Sequence, residues 1–548
     1  MKKNIIYALT LLLTGACSDF LEPKSQTEFT PTQADQLNEV LLGVAYPRPD
    51  ATEINVLLDL LSDDVSGAGV HDGAISTTGF YDRSEVQAAK ILYTWQPEYS
   101  RLMQAANQPA NAHYDVYTPI YKFIVGANAV IDRVGNVGGT VEEKNNVLAQ
   151  AYTLRGFYYL QLVNIFGEPY TANPDGLGVP LKITSDVEER TMARNTVGEV
   201  YEQILSDLKE AERLFKTLPE GKQFRKDFRV NLPTAQHLLA RAYLYMGRWA
   251  EAVECANALI ARPDFSLINL QDLVSAGYTN VPSSRKYYNF ITYDNPECYW
   301  LWGKSDDLYL FTKNIIARQM GNNERACAYL MQASQDIVDS FEAGDARKLL
   351  YMVSDAYSNA DINITRYGAL GKCGITLESV SSRNCWPTTG STLFGHAMRQ
   401  AEAYLIAAEG NAMLNKQGDA AAGQAAITAL NALRSKRFLT ANYTPLTLAD
   451  FADADALVEM TRAERRRELC FESLRWFDQR RQGMKRVERR WYTGPGTTES
   501  TNIHYETYVL EENDPGFTLP IPHTVIEKNS YLRQAPTVGA ERSYTEKI

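Results

Sequence analysis

The chain has 548 residues, 55 Lys and Arg against 66 Asp and Glu, a net charge of −11 and 45% hydrophobic residues. That acidity excludes a nucleic-acid binder, which carries a basic footprint, while the length allows a large buried core and roughly two to four domains. Aromatics reach 11%, with 32 Tyr and 7 Trp, an excess that suits flat, polar-edged surface platforms although most rings in any protein are core.

In chain order, the first element is a leader. Met1–Lys2–Lys3 is positive, Ile5 to Leu13 is apolar, and Thr14–Gly15–Ala16 runs into Cys17. This is the layout of a secretory signal over residues 1–16. The apolar run is too short for a transmembrane helix, which needs about 20 residues. A cysteine directly after small residues resembles a bacterial lipobox, in which the cysteine is acylated and becomes the mature N-terminus. Several acyl chains anchor durably where one does not. Residues 17–32 are polar and read as a tether, and no later run is long enough to span a bilayer.

Helical periodicity then takes over. Tyr117 to Val134 carries Ile120, Ile124, Ala127, Val130 and Ile131 on one face, and Val141 to Phe166 repeats the spacing until Gly167–Glu168–Pro169 stops it. Thr196 with Glu199 predicts a capping box and a helix to Phe215. At 235–263, Leu239, Ala240 and Tyr243 precede Gly247, and Trp249, Ala252, Ala256 and Leu259 follow it. That is the spacing of a tetratricopeptide (TPR) helix–turn–helix, with small residues where the helices touch. A weaker echo lies at 399–437 around Gly418–Asp419.

Between 264 and 395 the rhythm is lost. Tyr278 to Phe311 holds ten aromatics in thirty-four residues, and Cys298 to Trp302 reads as a short strand. A long irregular insertion in a helical scaffold points to function. Among the scattered cysteines, Cys373 and Cys385 bracket a short loop and could form a disulfide or remain two thiols. No CxxC pair or histidine companion suggests a zinc site.

Taken together, several segments resemble one family. They are Cys17 to Glu22, Ser62–Asp63–Asp64, Tyr121 with Ala127–Asn128, Leu154 to Gly167, Arg194 to Asp207–Leu208, and Asn295–Pro296–Glu297. Ala401 to Glu409, Glu464 to Leu469 with Glu472, Arg475 and Asp478, and Leu519 to Pro522 with Asn529 complete the set. In that order they resemble the SusD/RagB-like outer-membrane lipoproteins of Bacteroidetes. The resemblance implies a mostly α, TPR-like helical-pair scaffold with an embedded loop-rich ligand-binding region. The expected layout is one domain over 33–548, with helix pairs around 117–263 and 396–482 and a variable insertion around 264–395. It also implies a surface-exposed lipoprotein that captures nutrient glycans, or oligopeptides in RagB-like members, for a TonB-dependent SusC-like transporter.

No catalytic motif stands in the sequence: no HExxH, GxSxG, P-loop or GxGxxG. The chain is therefore read as a binding protein without cofactor or metal. Asp63–Asp64 and Asp306–Asp307 point apart on either helix or strand, which suits capping or solvation better than acid–base work. The run Arg462 to Arg481 is expected to be a structural ion-pair helix, with Glu464–Arg467 and Glu472–Arg475 as internal pairs. The ligand platforms expected are Tyr81 and Trp95 in an early loop, and Tyr287, Tyr288 and Tyr293 in the insertion. Asp82, Arg83, Asn107 and Asn289 are the polar groups around them, while Trp300 and Trp302 belong to the core.

Overall fold

The computed structural model of the chain describes residues 30–47, 56–67, 89–105, 115–186, 192–279, 288–303, 314–318, 325–329, 331–356, 363–366, 372, 376–377, 387–388, 394–492, 505–535, 542 and 544–547. Cys17, Tyr81, Asp82, Arg83, Asn107, Tyr287, Asp306, Asp307, Cys373 and Cys385 lie outside them. The fold is mostly helical. Helix α1 (Ala34–Val44) is followed by α2 (Tyr117–Arg133), α3 (Val141–Phe166) and α4 (Val197–Lys216). Both α3 and α4 open on capping boxes, Thr140 with Glu143 and Thr196 with Glu199, so their first-turn N–H groups find acceptors.

Helices α5 (Leu232–Met246) and α6 (Trp249–Ile260) form the expected pair. Gly247 makes the turn at φ 73°, a left-handed conformation that favours glycine. Successive helices pack on one another from α2 through α6. The stack then continues on a helix 140 residues further along the chain. Helix α7 (Gln400–Lys416) packs directly against α6 and carries α8 (Ala420–Arg434) and α9 (Ala454–Leu469) on its other faces. A Cβ on Gly410 of α7 would stand 2.7 Å from Val253 and 3.3 Å from the Trp249 carbonyl, so glycine sets the spacing at this join.

The segment between α6 and α7 is thus looped out of a continuous helical stack and tied at its neck. Strand β2 (Cys298–Trp302) pairs antiparallel with β4 (His396–Arg399), which runs straight into α7. Strand β3 (Met331–Ala333), within the insertion, pairs with β1 (Val65–Gly67) from the early chain. Three more short antiparallel pairs, 314–318 with 325–329, 353–356 with 363–366 and 376–377 with 387–388, lie between them. Strands β5 (Val487–Tyr492), β6 (Tyr505–Leu510) and β7 (Thr545–Lys547) form a separate antiparallel sheet. Among the described residues no helix is long and apolar enough to cross a membrane.

The arginine-rich run is not one helix. Helix α9 ends at Leu469, and α10 (Arg475–Arg481) starts after a turn in which Phe471 and Ser473 take φ of 59° and 60°. The Glu464–Arg467 pair forms at 2.8 Å, but Glu472 and Arg475 part across that turn. Glu472 instead binds Lys372 (2.7 Å) and Arg399 (2.6 Å), and Arg475 binds Asp63 (2.6 Å). The pairs therefore join distant segments. Glu468, fully buried, receives Arg347 (3.1 Å), Arg399 (2.5 Å), Arg437 (2.9 Å) and the Tyr351 hydroxyl (3.2 Å). Burial alone would raise its carboxyl, but Arg437, Arg399 and Arg347 outweigh that and hold it well below the usual range.

Ala252 is fully buried on α6, and Ala252→Phe should destabilise the fold by about 1–3 kcal/mol through overpacking, read by urea unfolding. Two buried carboxyls should give opposite pH signatures. Burial raises Glu409, yet Arg481 and Arg462 pull it down to about 2. Its contribution is complete above the unfolded pKa of about 4.3 and is lost as pH falls towards 2. The advantage of wild type over Glu409→Gln should therefore shrink in acid. Asp59 is pushed up to about 7, burial outweighing its bonds from Ser473. Its contribution is present below about pH 4 and lost as pH rises through 7, so Asp59→Asn should gain on wild type across that window.

Candidate functional site

The aromatic turn that leads into β2 holds the expected platforms of the insertion that fall among the described residues, Tyr288 and Tyr293. Tyr288 is half-buried, edge-on to Tyr278 (5.4 Å between centroids) and to Phe290 (4.8 Å). Phe290 is edge-on to Tyr351 at 5.2 Å, and Tyr351 donates to Glu468. A ladder of rings thus runs from the half-buried Tyr288 to the buried ion network. Tyr293, also half-buried, stands five residues on but packs edge-on against Phe394, at 6.1 Å. The two tyrosines share a turn and face different partners. Asn289 uses its side-chain oxygen to accept from the Ile291 N–H (3.0 Å), and Asn295 donates to the Phe290 carbonyl (2.8 Å), which pins the turn.

Burial pushes the phenols of Tyr288 and Tyr293 up, so both stay neutral, and the Tyr293 hydroxyl is itself buried against the Leu301 backbone. Tyr278, Tyr351 and Phe394 were not picked out from the sequence. Tyr278 opens the aromatic-rich run, which is the only sequence signal for it; Tyr351 and Phe394 lie beyond the run and join by tertiary contact.

Trp95 is a correction. It is 4% exposed, and its indole N–H donates to the Leu61 carbonyl at 3.1 Å. The Arg489 guanidinium lies 4.2 Å from its ring centroid, and the Trp95 carbonyl accepts from Arg542 (2.8 Å). The ring is packed between chain segments, not displayed as a platform, and its partners do not overlap those of Tyr288. Trp300 and Trp302, at 0% and 5% exposure, are core as expected.

The acidic doublet Asp63–Asp64 is neither cap nor solvated pair. Asp64 is buried against Arg466 (2.7 Å) and Asp63 is held by two nitrogens of Arg475. His237 and Glu402, 2.8 Å apart, have the look of an acid–base couple. They are 0% and 2% exposed and enclosed by Arg241 and Arg465, so neither can touch a substrate. A groove of about 350 Å³ beside α9 and α10 is lined by Arg462, Arg466, Arg475 and Lys485. Asp63, Asp64, Asp336 and Glu459 answer these cations, so it is no polyanion site.

The fold agrees with what the chain is similar to. Residues 19–244 match a family model described as starch-binding and associating with the outer membrane, and residues 387–537 match the SusD family model. The unmatched stretch between them contains most of the insertion. SusD-like protein P2 of Formosa agariphila is 27% identical over 387 residues, covering 66% of this chain and 70% of that protein. A SusD superfamily protein of Bacteroides thetaiotaomicron superposes with a TM-score of 0.63 at 21% identity, over 92% of this chain and 100% of that one. A SusD-like carbohydrate binding protein of Bacteroides vulgatus does so with a TM-score of 0.58 at 20% identity, over 91% and 97%. With both ends matched and the fold shared over nearly its whole length, the chain belongs to the SusD/RagB-like family.

Proposed function

We propose that the protein is a lipid-anchored binding protein of the outer membrane. It captures nutrient glycans at the cell exterior and passes them to a SusC-like TonB-dependent transporter. The observation that carries this reading is the family match at both ends of the chain, with a starch-binding, outer-membrane description on the first. The carbohydrate binding named for the Bacteroides vulgatus neighbour supports it. The site proposed is the insertion, around Tyr288 and Tyr293, with Tyr81 and Tyr287 as further platforms. Sugar rings present apolar C–H faces that suit aromatic surfaces, and their hydroxyls suit neutral phenols at the edge. Few rings and much polar desolvation imply modest affinity.

Two measurements test it. Cys17→Ala, expressed without the transporter, should leave the membrane fraction, since only the acylated cysteine is proposed to hold the chain there; retention at wild-type level would sink the anchor. Calorimetry of the purified protein against a glycan panel and an oligopeptide library should show saturable glycan binding that Tyr288→Ala weakens. Saturable peptide binding with no glycan response would transfer the reading to peptide uptake, and turnover of either ligand would overturn a pure binding role.

A further inference from the structure

One buried cation is bound to the aromatic turn and to the helical scaffold at once. Lys372 belongs to the insertion and is 3% exposed. Its backbone carbonyl accepts from the Phe290 N–H at 2.7 Å, within the turn that carries Tyr288 and Tyr293. Its Nζ donates to the carbonyls of Glu468 (3.0 Å) and Cys470 (2.7 Å) and to the Glu472 carboxylate (2.7 Å). An ammonium has three protons, so all three are used and the head group has one orientation. The two carbonyls lie at the C-terminus of α9, where the helix dipole favours a cation. The ammonium also stands 4.4 Å from the centroid of the Tyr351 ring, the ring on which Phe290 rests.

Charge balance does not require a lysine at this position. Glu472 is also held by two nitrogens of Arg399, at 2.6 and 3.2 Å, and the Glu468 carbonyl also accepts from Arg399 (2.8 Å). Removing the ammonium therefore leaves no buried carboxylate without a cation, while burying it carries a desolvation cost. The distinctive work of the side chain is to join the backbone of the turn to the end of α9.

We infer that Lys372 is the positioning residue of the aromatic turn: it fixes Phe290, and through Phe290 the Tyr288 ring, before a ligand arrives. The inference rests on the proposed reading of that turn as the capture site, and adds the residue that orders it in advance. A turn ordered in the free protein spares the ligand the cost of ordering it.

Hydrogen exchange and calorimetry on the full mature chain test this. Lys372→Met keeps an unbranched apolar stem and removes the ammonium. The Phe290 amide should then exchange about tenfold faster, with strand β2 and helix α5 unchanged. Affinity in the glycan panel should fall about two- to tenfold, the range for ordering one rotamer-rich side chain. In a Tyr288→Ala background the same substitution should cost no further affinity, because it acts through that ring. A general loss of structure would cost the same in both backgrounds. Unfolding midpoints check that the variant is folded. Should it not be, Glu472→Gln replaces it, which leaves Lys372 its two carbonyls and weakens its third bond; a smaller acceleration confined to the turn is then expected. Faster exchange confined to the turn upholds the assignment even where neither glycan nor peptide binds, in which case the capture reading falls alone. Wild-type exchange at Phe290, acceleration shared by β2 and α5, or an equal loss of affinity in both backgrounds would overturn it.

Discussion

A carboxylate cut off from water must find its cations inside the protein, and Glu468 finds them in segments that are far apart in sequence. Arg347 comes from the insertion, Arg399 from the end of the neck strand β4, and Arg437 from the turn after α8. Glu464, one turn earlier on α9, adds Arg434 and Arg467. Glu297, at the entrance of β2, shares Arg399 and Arg437. Such a cluster is poor evidence of net stability, because desolvation offsets most of the attraction. Its effect is registration. Each carboxylate is satisfied only when insertion, neck and helical stack have all arrived, and removing one partner leaves an unpaired buried charge costing about 3–5 kcal/mol.

The helical half of this arrangement was legible in the sequence because its causes are local. Apolar spacing, the Thr196–Glu199 box, Gly247 and the small residues Ala252 and Ala256 act within a few residues of one another, and α4, α5 and α6 follow from them. The break between α9 and α10 was not legible. Ser473 takes its left-handed conformation where its N–H and hydroxyl both reach Asp59, 414 residues away. No window of sequence contains that partner. The same applies to Glu472, whose neighbour at helical spacing is Arg475 but whose true partners are Lys372 and Arg399.

Among the described residues, several segments that carried the family resemblance tie elements together. Arg155 binds Asp207 through two nitrogens and Asn128 through a third, joining α3 to α4 and α2. Arg194 donates to the Phe166 carbonyl at 2.6 Å, and Arg480 reaches the carbonyls of Asn164 and Gly167. The C-terminus of α3, where the helix dipole is negative, is thereby capped by two cations. Glu402 gathers His237, Arg241 and Arg465. This explains why the family was readable and the site was not. Recognition rested on residues that build the scaffold, and Trp95, chosen as a platform from its aromatic type, turned out to be packing of the same kind.

The two aspects meet at the aromatic turn. The stack closes beneath the insertion through α6 and α7, and among the described residues the insertion is tied down by the β2–β4 pair at its neck and by β3 on β1. A binding turn left poorly ordered would have to be ordered on binding, at a cost in affinity. The ring ladder answers that cost. Tyr288 rests on Phe290, Phe290 on Tyr351, and Tyr351 donates to Glu468, while the Lys372 ammonium sits 4.4 Å from the Tyr351 ring centroid. The carboxylate that registers the scaffold thus also fixes the base on which the half-buried tyrosine stands. On the proposed reading, substituting Tyr288 changes what a ligand meets, whereas substituting Tyr351 changes whether the turn is held.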